Sequence, residues 1–498
     1  MLDLPYPDFL CGLQLPEHLR YVCATSGFPE PDLGGEFTYC DLGCGQGRTA
    51  SAVAALHPQA KVWGLDLSTD HISAAKAFAD QAGLKNVTFL EADLAAFDAE
   101  TLPPLDFITM HGVWAWIPDQ VRAGILKLIM QRLKPGGLCY VSYNAMPGAV
   151  ALGAIRRMCL DLLQGQPQGT ITESLPRAFR QLKRLAQGEG LFFQKHPVAT
   201  KVIATSDDVD VRYMAHEYLA DQWAPMSIKE VADTMQGAGL TWVNSCILAH
   251  RLHAAGLPPA LRQEIEAEDD RLLREVLSDI ALNRQFRADV FVKAENYRPQ
   301  DGQLDGFSFA LTTSRETVPS RAVAEGIEID TSLQPIPLIL DALANGPLVF
   351  EDLAEMLTGR LSTDDLTEVL MALIVVDVIR PLPKRGITSA SHEKTSGLRV
   401  LDGFNRAALA KRQPSAPVTM ITSALGGIVS IPPLDAALIQ TFCEHEGHVD
   451  AASLLVTLKQ SNIAFEGTPE EINKKAEAAV ARFTTETLPK LQRLGMLH

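Results

Sequence analysis

The sequence is poor in several features that would set it apart from an ordinary globular enzyme. Its 8 cysteines include no CxxC pair, which excludes a disulfide scaffold; scattered free thiols fit a reducing compartment, so a cytoplasmic location is expected. Cys40 and Cys44 flank a glycine loop without partner ligands, so no metal site is expected. Long apolar runs are missing: the best, Val369 to Val376, stops at Asp377, far short of the ~20 residues a membrane span needs, and no membrane insertion is expected. The opening MLDLPYPDFL has an early acid and no basic n-region, so no secretory signal is expected. Basic residues are outnumbered, 44 Lys and Arg against 60 Asp and Glu, a net charge of −16. Such acidity argues against gripping phosphate backbones, and no nucleic-acid partner is expected. No internal repeat of fixed period is present, and 498 residues exceed what one core serves, so roughly two to four domains are expected.

What is present is alternation. FTYCDLG (37–43), AKVWGLDL (60–67), VTFLEA (87–92), LDFITMHGV (105–113) and GLCYVSYN (137–144) are predicted strands. Between them are predicted helices: RTASAVAALHP, a helix capped by Ser68 that carries Ile72, Ala75, Phe78 and Ala79 on one face, and a helix from Asp119 stopped by Pro135-Gly136-Gly137. Strands alternating with crossover helices mean an α/β fold with a doubly wound, mostly parallel sheet.

Beyond Pro147-Gly148, residues 149–226 read as a helical insertion and candidate dimerisation region, leaving a homodimer open. Residues 227–300 read as helix, glycine stop and strand, with FRADVFVKA (286–294) one more strand, and are expected to complete the sheet. Residues 301–382 read as a helical, winged-helix-like domain whose third helix is capped by Ser362. Its helices carry Asp341, Glu351, Asp352, Glu355, Asp364, Asp365 and Glu368, which phosphates would repel, so protein contact or dimer support is favoured over DNA. Residues 383–426 read as a linker and 427–498 as a C-terminal helical domain with a helix start at Thr468.

The chemistry sits in Asp41-Leu42-Gly43-Cys44-Gly45-Gln46-Gly47, between the first strand and first helix. Gly43 and Gly45 permit positive φ and close backbone approach, and Gly47 lets the helix start sit near a ligand. The spacing is G-x-G-x-G after an acid, unlike the dinucleotide G-x-G-x-x-G that feeds a pyrophosphate onto a helix N-terminus. An acid there suits a cationic ammonium and no phosphate. Asp66 ends the second strand, where a carboxylate accepts both ribose hydroxyls, and Asp93 follows the third, placed for an adenine amino group. Ammonium, ribose and adenine without phosphate describe S-adenosylmethionine.

Residues 37–144 therefore resemble a class I S-adenosylmethionine-dependent methyltransferase, with Lys134-Pro135-Gly136-Gly137 matching the turn before its fifth strand. Pro5-Tyr6-Pro7, His111-Gly112-Val113-Trp114-Ala115-Trp116-Ile117-Pro118, Val141-Ser142-Tyr143-Asn144, His216-Glu217-Tyr218-Leu219 and Asn283-Arg284-Gln285-Phe286-Arg287-Ala288-Asp289 are similar to one bacterial family, as is Phe404-Asn405-Arg406-Ala407. That family joins a methyltransferase domain to a methyltransferase regulatory domain and includes the rickettsial protein-lysine methyltransferases. The resemblance implies a Rossmann-like donor domain over 1–148, S-adenosyl-L-methionine as cofactor, and a protein lysine as acceptor. The expected donor contacts are Asp41, Gly43, Cys44, Gly45, Gly47, Asp66, Leu67, Asp93, Leu94 and His111. Trp114-Ala115-Trp116 stands where relatives tend to carry Tyr-Ser-Trp, so the acceptor pocket departs there.

Methyl transfer is an in-line displacement that needs alignment to about 3–3.5 Å and exclusion of water. A lysine must first lose its proton, which burial among aromatics favours. His111, Trp116, Tyr143 and Asn144 are the candidate catalytic residues: His111 as proton relay, Trp116 and Tyr143 as walls beside Trp114, Asn144 to orient the amine. Simpler roles compete. Asp93 caps a turn as readily as it meets adenine, one of Trp114 and Trp116 belongs to the core, and Arg177, Arg180, Lys183 and Arg184 are more simply a solvated face than a dock. A small-molecule methyltransferase and a catalytically inactive donor-binding scaffold are the alternatives.

Overall fold

A computed structural model describes residues 6–164, 170–294, 297, 304–382, 403–413, 416–422, 424–445, 447–461, 463–494 and 496–497. Five strands alternate with helices as their patterns require: β1 (Thr38–Leu42), β2 (Lys61–Asp66), β3 (Val87–Glu91), β4 (Leu105–Met110) and β5 (Leu133–Asn144). All five residues of β1 are buried, the mark of a central strand covered on both faces. Side chains alternate between two cores. Tyr39, Phe107 and Tyr140 join Ala50, Val53 and Phe78 in one; Cys40, Ile108 and Cys139 join Ile125 and Ile129 in the other. Ser68 caps the Thr69–Ala82 helix by accepting from the His71 amide, and Ile72, Ala75, Phe78 and Ala79 face inward as expected.

Residues 227–292 then add β6 (Thr241–Ser245) and β7 (Phe286–Val292) to the same sheet. Its seven strands run in the order β3-β2-β1-β4-β5-β7-β6. The first five pair in parallel, and β7 runs antiparallel to both neighbours. Two strand ends differ from expectation by three residues or more. The strand predicted to Val113 stops at Met110, because Gly112 turns at φ 65°. The strand predicted from Gly137 begins at Leu133, since Gly136 and Gly137 exchange backbone hydrogen bonds with Lys293 next to β7.

Between β5 and β6 lies a helical insertion with its own core of Ile155, Cys159, Leu175, Phe179, Leu182 and Met214. Its last helix is Val211–Leu219. The region 301–382 is not purely helical. Besides three helices it holds β8 (Ser308–Leu311), β9 (Arg321–Ala324), β10 (Ile327–Asp330), β11 (Leu348–Val349) and β12 (Ile379–Leu382), in a three-stranded sheet and a hairpin. Ser362 does cap the third helix, accepting from the Asp365 amide.

The expected linker is also corrected. Residues 383–402, 414–415 and 423 lie outside the described residues, but the rest of the expected linker holds a helix, Gly403–Ala410, and β13 (Val418–Thr422), which pairs with β14 (Gly427–Ile431). The helix packs on Thr69–Ala82, Phe404 meeting Phe78 edge-on at 5.1 Å. Gly403 lies so close to the Ala82 carbonyl that any Cβ would overlap it. The C-terminal helices follow, with Thr468 forming a capping box with Glu471.

Candidate active site

The glycine loop leaves β1 with Gly43, Gly45 and Gly47 at φ 70°, 53° and 72°, all left-handed. A Cβ on Gly47 would meet Ala75 and the Phe89 ring at 2.6 Å, and one on Gly43 would meet Val113 at 2.5 Å, whereas nothing lies within 4 Å at Gly45. The loop is thus pinned by packing at both ends and open in the middle. Cys44 is part of the pinning, its sulfur set against Gly64 of β2.

Asp41 is 3% exposed. Gln14 Nε2 (2.8 Å) and Thr109 Oγ1 (3.0 Å) both donate to its Oδ1. Burial pushes its carboxyl up to about 7, against the pull of those two hydrogen bonds. Asp66 behaves oppositely. Burial works against its charge, but His71, the Ser68 amide and the Gly45 amide (2.8 Å) outweigh that and hold it below the usual carboxylate range. Leu67 beside it is 50% exposed, an apolar face left open at the strand tip. Asp93 is exposed and spends Oδ1 on the Ala95 amide as a turn cap (2.9 Å), with Leu94 half-buried next to it.

An N-terminal segment lies over these strand ends. Gln46 Nε2 donates to the Tyr6 carbonyl (2.9 Å), Arg48 pairs with Asp8 (2.5 Å), and the Cys11 amide donates to Thr49 (3.1 Å). The Tyr6 amide donates to His71 Nε2 (3.4 Å), which leaves Nδ1–H to face Asp66. Of the Pro5-Tyr6-Pro7 signature, Pro5 lies outside the described residues. Gln14, His71 and Thr109 carried no sequence signal. Thr109 reaches Asp41 because β4 pairs with β1 in that register, which no local pattern announces.

Two expected catalytic residues take other places. His111 stacks between Phe9 (5.5 Å) and Tyr140 (6.0 Å), with Nδ1 2.8 Å from the Tyr140 hydroxyl. Burial lowers its pKa to about 4, a direction that works against the proton relay expected of it. Tyr143 is 1% exposed and its hydroxyl donates to Asp289 (2.7 Å), inside a buried network with Arg287, Asp279 and Trp242. It walls no cleft. Side chains alternate along β5, so Tyr143 turns into the sheet's second core while Asn144 turns away. The Asn283–Asp289 motif is absorbed by this same network.

Asn144 and Trp116 are brought together by a residue the sequence did not single out. Trp223 Nε1 donates to Asn144 Oδ1 (3.1 Å), and its rings stand 6.3 Å from those of half-buried Trp116. The backbone fixes the segment: the Ala224 amide donates to Ala115 (2.8 Å) and the Met226 amide to Asn144 (3.0 Å). Trp114 is the core member of the pair at 1% exposure.

A buried carboxylate with a raised pKa, a second anchored at the next strand tip and an open glycine loop fit a ligand carrying a cationic amine and vicinal hydroxyls, and repel a phosphate. Among the described residues no cluster of three His, Cys, Asp or Glu is placed to hold a metal, and no helix is long and apolar enough to cross a membrane.

Comparison with known proteins agrees. A family model described as a methyltransferase domain matches residues 34–174, and one described as a predicted methyltransferase regulatory domain matches 210–293. An uncharacterised protein of Synechocystis is 26% identical over 100% of this chain and 98% of its own length. The trans-aconitate 2-methyltransferase of Methylobacterium radiotolerans is 30% identical over 40% of this chain and 67% of its own. PKMT2 from Rickettsia typhi, solved in complex with AdoHcy, superposes with a TM-score of 0.72 at 19% identity, covering 99% of this chain and 100% of that one. The chain belongs to the class I S-adenosylmethionine-dependent methyltransferases, with a methyltransferase regulatory domain behind its methyltransferase domain.

Proposed function

We propose that the protein is a protein-lysine N-methyltransferase. Asp41 holds the donor's ammonium, Asp66 its ribose hydroxyls, and the backbone of Gly43 to Gly47 admits the rest, with Leu67 and Leu94 against the adenine. When bound, the donor supplies a methyl group activated by its sulfonium. The observation that carries the lysine reading is the half-buried Trp116–Trp223 pair with Asn144 at the carboxyl end of β5. Aromatic walls exclude water and lower the lysine pKa by desolvation, their faces hold the methylated ammonium, and Asn144 is the residue proposed to orient the amine. The fold likeness to PKMT2 supports it, since it extends over the insertion and the C-terminal regions. A small-molecule acceptor is the second reading, favoured by the trans-aconitate relatives, whose similarity covers 40% of this chain or less.

Radiolabelled donor incubated with the enzyme and a bacterial extract is expected to label a polypeptide band that yields methyl-lysine on acid hydrolysis. Trp116→Ala and Trp223→Ala are expected to lower the labelling rate about fivefold to thirtyfold, in line with about 1–2 kcal/mol for a desolvated cation–aromatic contact, while donor affinity holds. Label found only in small molecules refutes the lysine reading and leaves the enzyme class intact.

A further inference from the structure

The Val211–Leu219 helix belongs to the insertion, yet it reaches the donor mouth. Tyr6, whose backbone is tied to Gln46 of the glycine loop and to His71 behind Asp66, sets its ring 5.1 Å from His216 and 6.1 Å from Tyr213. A few residues onward the same stretch of chain carries Trp223, which meets Trp116 and Asn144. Residues 211–226 therefore form a roof fastened at two ends: over the donor loop through Tyr6, and over the end of β5 through Trp223.

Glu217 lies between those fastenings. It is half-buried, and its surroundings are phenols. Tyr213 hydrogen-bonds to it, and its charge reaches Tyr6, Tyr213 and Tyr218. Of the neighbouring helices, one brings Cys159 beside Tyr218 and Arg156, whose guanidinium donates to the Ala220 carbonyl past the end of the helix, and the other brings Phe179, edge-on against Tyr218 at 5.2 Å. Among the described residues no Lys or Arg forms an ion pair with it, and burial pushes its carboxyl up to about 7. A half-buried acid among aromatic rings, without a cation of its own, is a site for one. Of the other ionisable groups at the mouth, His111 has its pKa lowered by burial, Asp66 is held by three donors, His216 packs against the Tyr6 ring, and Asp41 is the residue proposed above for the donor's ammonium.

We infer that Glu217 is the acceptor-side carboxylate, binding the incoming lysine ammonium beneath the 211–226 roof and taking its proton. This rests on the lysine reading above. The proton passes from the ammonium to the carboxylate. The freed amine pair then forms the N–C bond as the C–S bond breaks, its electrons staying on sulfur. The methylated ammonium leaves, and Glu217 returns its proton to solvent.

The test uses the full chain, S-adenosylmethionine and poly-L-lysine, with Glu217→Gln and Glu217→Asp. Calorimetry with S-adenosylhomocysteine is expected to give unchanged donor affinity for both, which certifies that the variants fold. Turnover of E217Q at pH 7 is expected to fall on the order of 10²–10³-fold. Its rate should climb about tenfold per pH unit toward the free-lysine pKa of about 10.4, because only the spontaneously neutral amine then reacts; E217D should recover part of the loss. Independently of turnover, a ¹³C-carboxyl resonance titrating near 7 should vanish in E217Q and move to lower pH when poly-L-lysine is added. An E217Q enzyme with native turnover and a native pH profile overturns the role of Glu217 alone. Failure of the native enzyme to methylate poly-L-lysine or any extract protein at lysine, while it labels small molecules, overturns the lysine reading and this proposal together.

Discussion

Asp41 and Asp66 end adjacent strands, three hydrogen-bond donors hold one ionised, and burial raises the other to about 7. The difference predicts how the site responds to pH. Only ionised Asp41 attracts an ammonium, so donor affinity should rise from pH 6 to pH 8 and then level off. Asp41→Asn should flatten that rise and weaken binding about tenfold to a hundredfold, the usual cost of losing a hydrogen bond to a charged group; calorimetry across pH measures both. The linkage sign for the free protein runs the other way. A folded pKa above the unfolded value means that protonation favours folding, so the contribution of Asp41 is greatest at low pH and is lost as pH rises through about 7. The melting temperature of D41N should therefore exceed that of the native protein at pH 8 and converge with it near pH 4.

At the scale of elements, the loop after β1 and the roof of residues 211–226 are held by different means. The loop depends on backbone conformation and close packing. Gly47→Ala places a Cβ 2.6 Å from Ala75 and Phe89 at a left-handed φ, so it should cost more than the roughly 1–2 kcal/mol of the backbone strain alone and abolish donor binding. Gly45→Ala, at a left-handed φ but in open space, should cost about the strain only. Urea titration of the two variants compares them. The roof depends on cross-element contacts instead. That is why its key residue, Trp223, was invisible in local sequence while the Trp116 half of the pair was not: a lone tryptophan after a helix has no pattern to flag it.

At the scale of the whole molecule, the C-terminal region is fastened to the donor domain. Phe404, 1% exposed, packs on Phe78, which also lies under the Arg48 guanidinium at 3.6 Å. Arg48 in turn holds Asp8 of the segment over the donor site. Phe404→Ala should destabilise the fold by about 3–5 kcal/mol, the range for emptying a buried aromatic site. Because Phe78 and Arg48 link the two regions, the loss should appear as a lower single transition in scanning calorimetry. Two separate transitions, with the donor domain unmoved, would contradict the coupling.

Much of this protein was determined by short-range pattern. Strand–helix alternation set the parallel sheet, the acids and glycines at successive strand ends set the donor chemistry, and Ser68, Ser362 and Thr468 announced their helices, since caps and periodicity are local physics. The tertiary structure alone decided the rest. Register put Thr109 on Asp41, strand alternation turned Tyr143 into a buried ion network, burial lowered the pKa of His111, and the polar stretch after residue 382 hid a helix that docks through Phe404. The proposed acceptor side divides between the two: Trp116 and Asn144 were legible as candidates, but their meeting through Trp223, and the contacts of Tyr6 with Tyr213 and His216 beside Glu217, join four stretches of chain and exist only after the chain has folded.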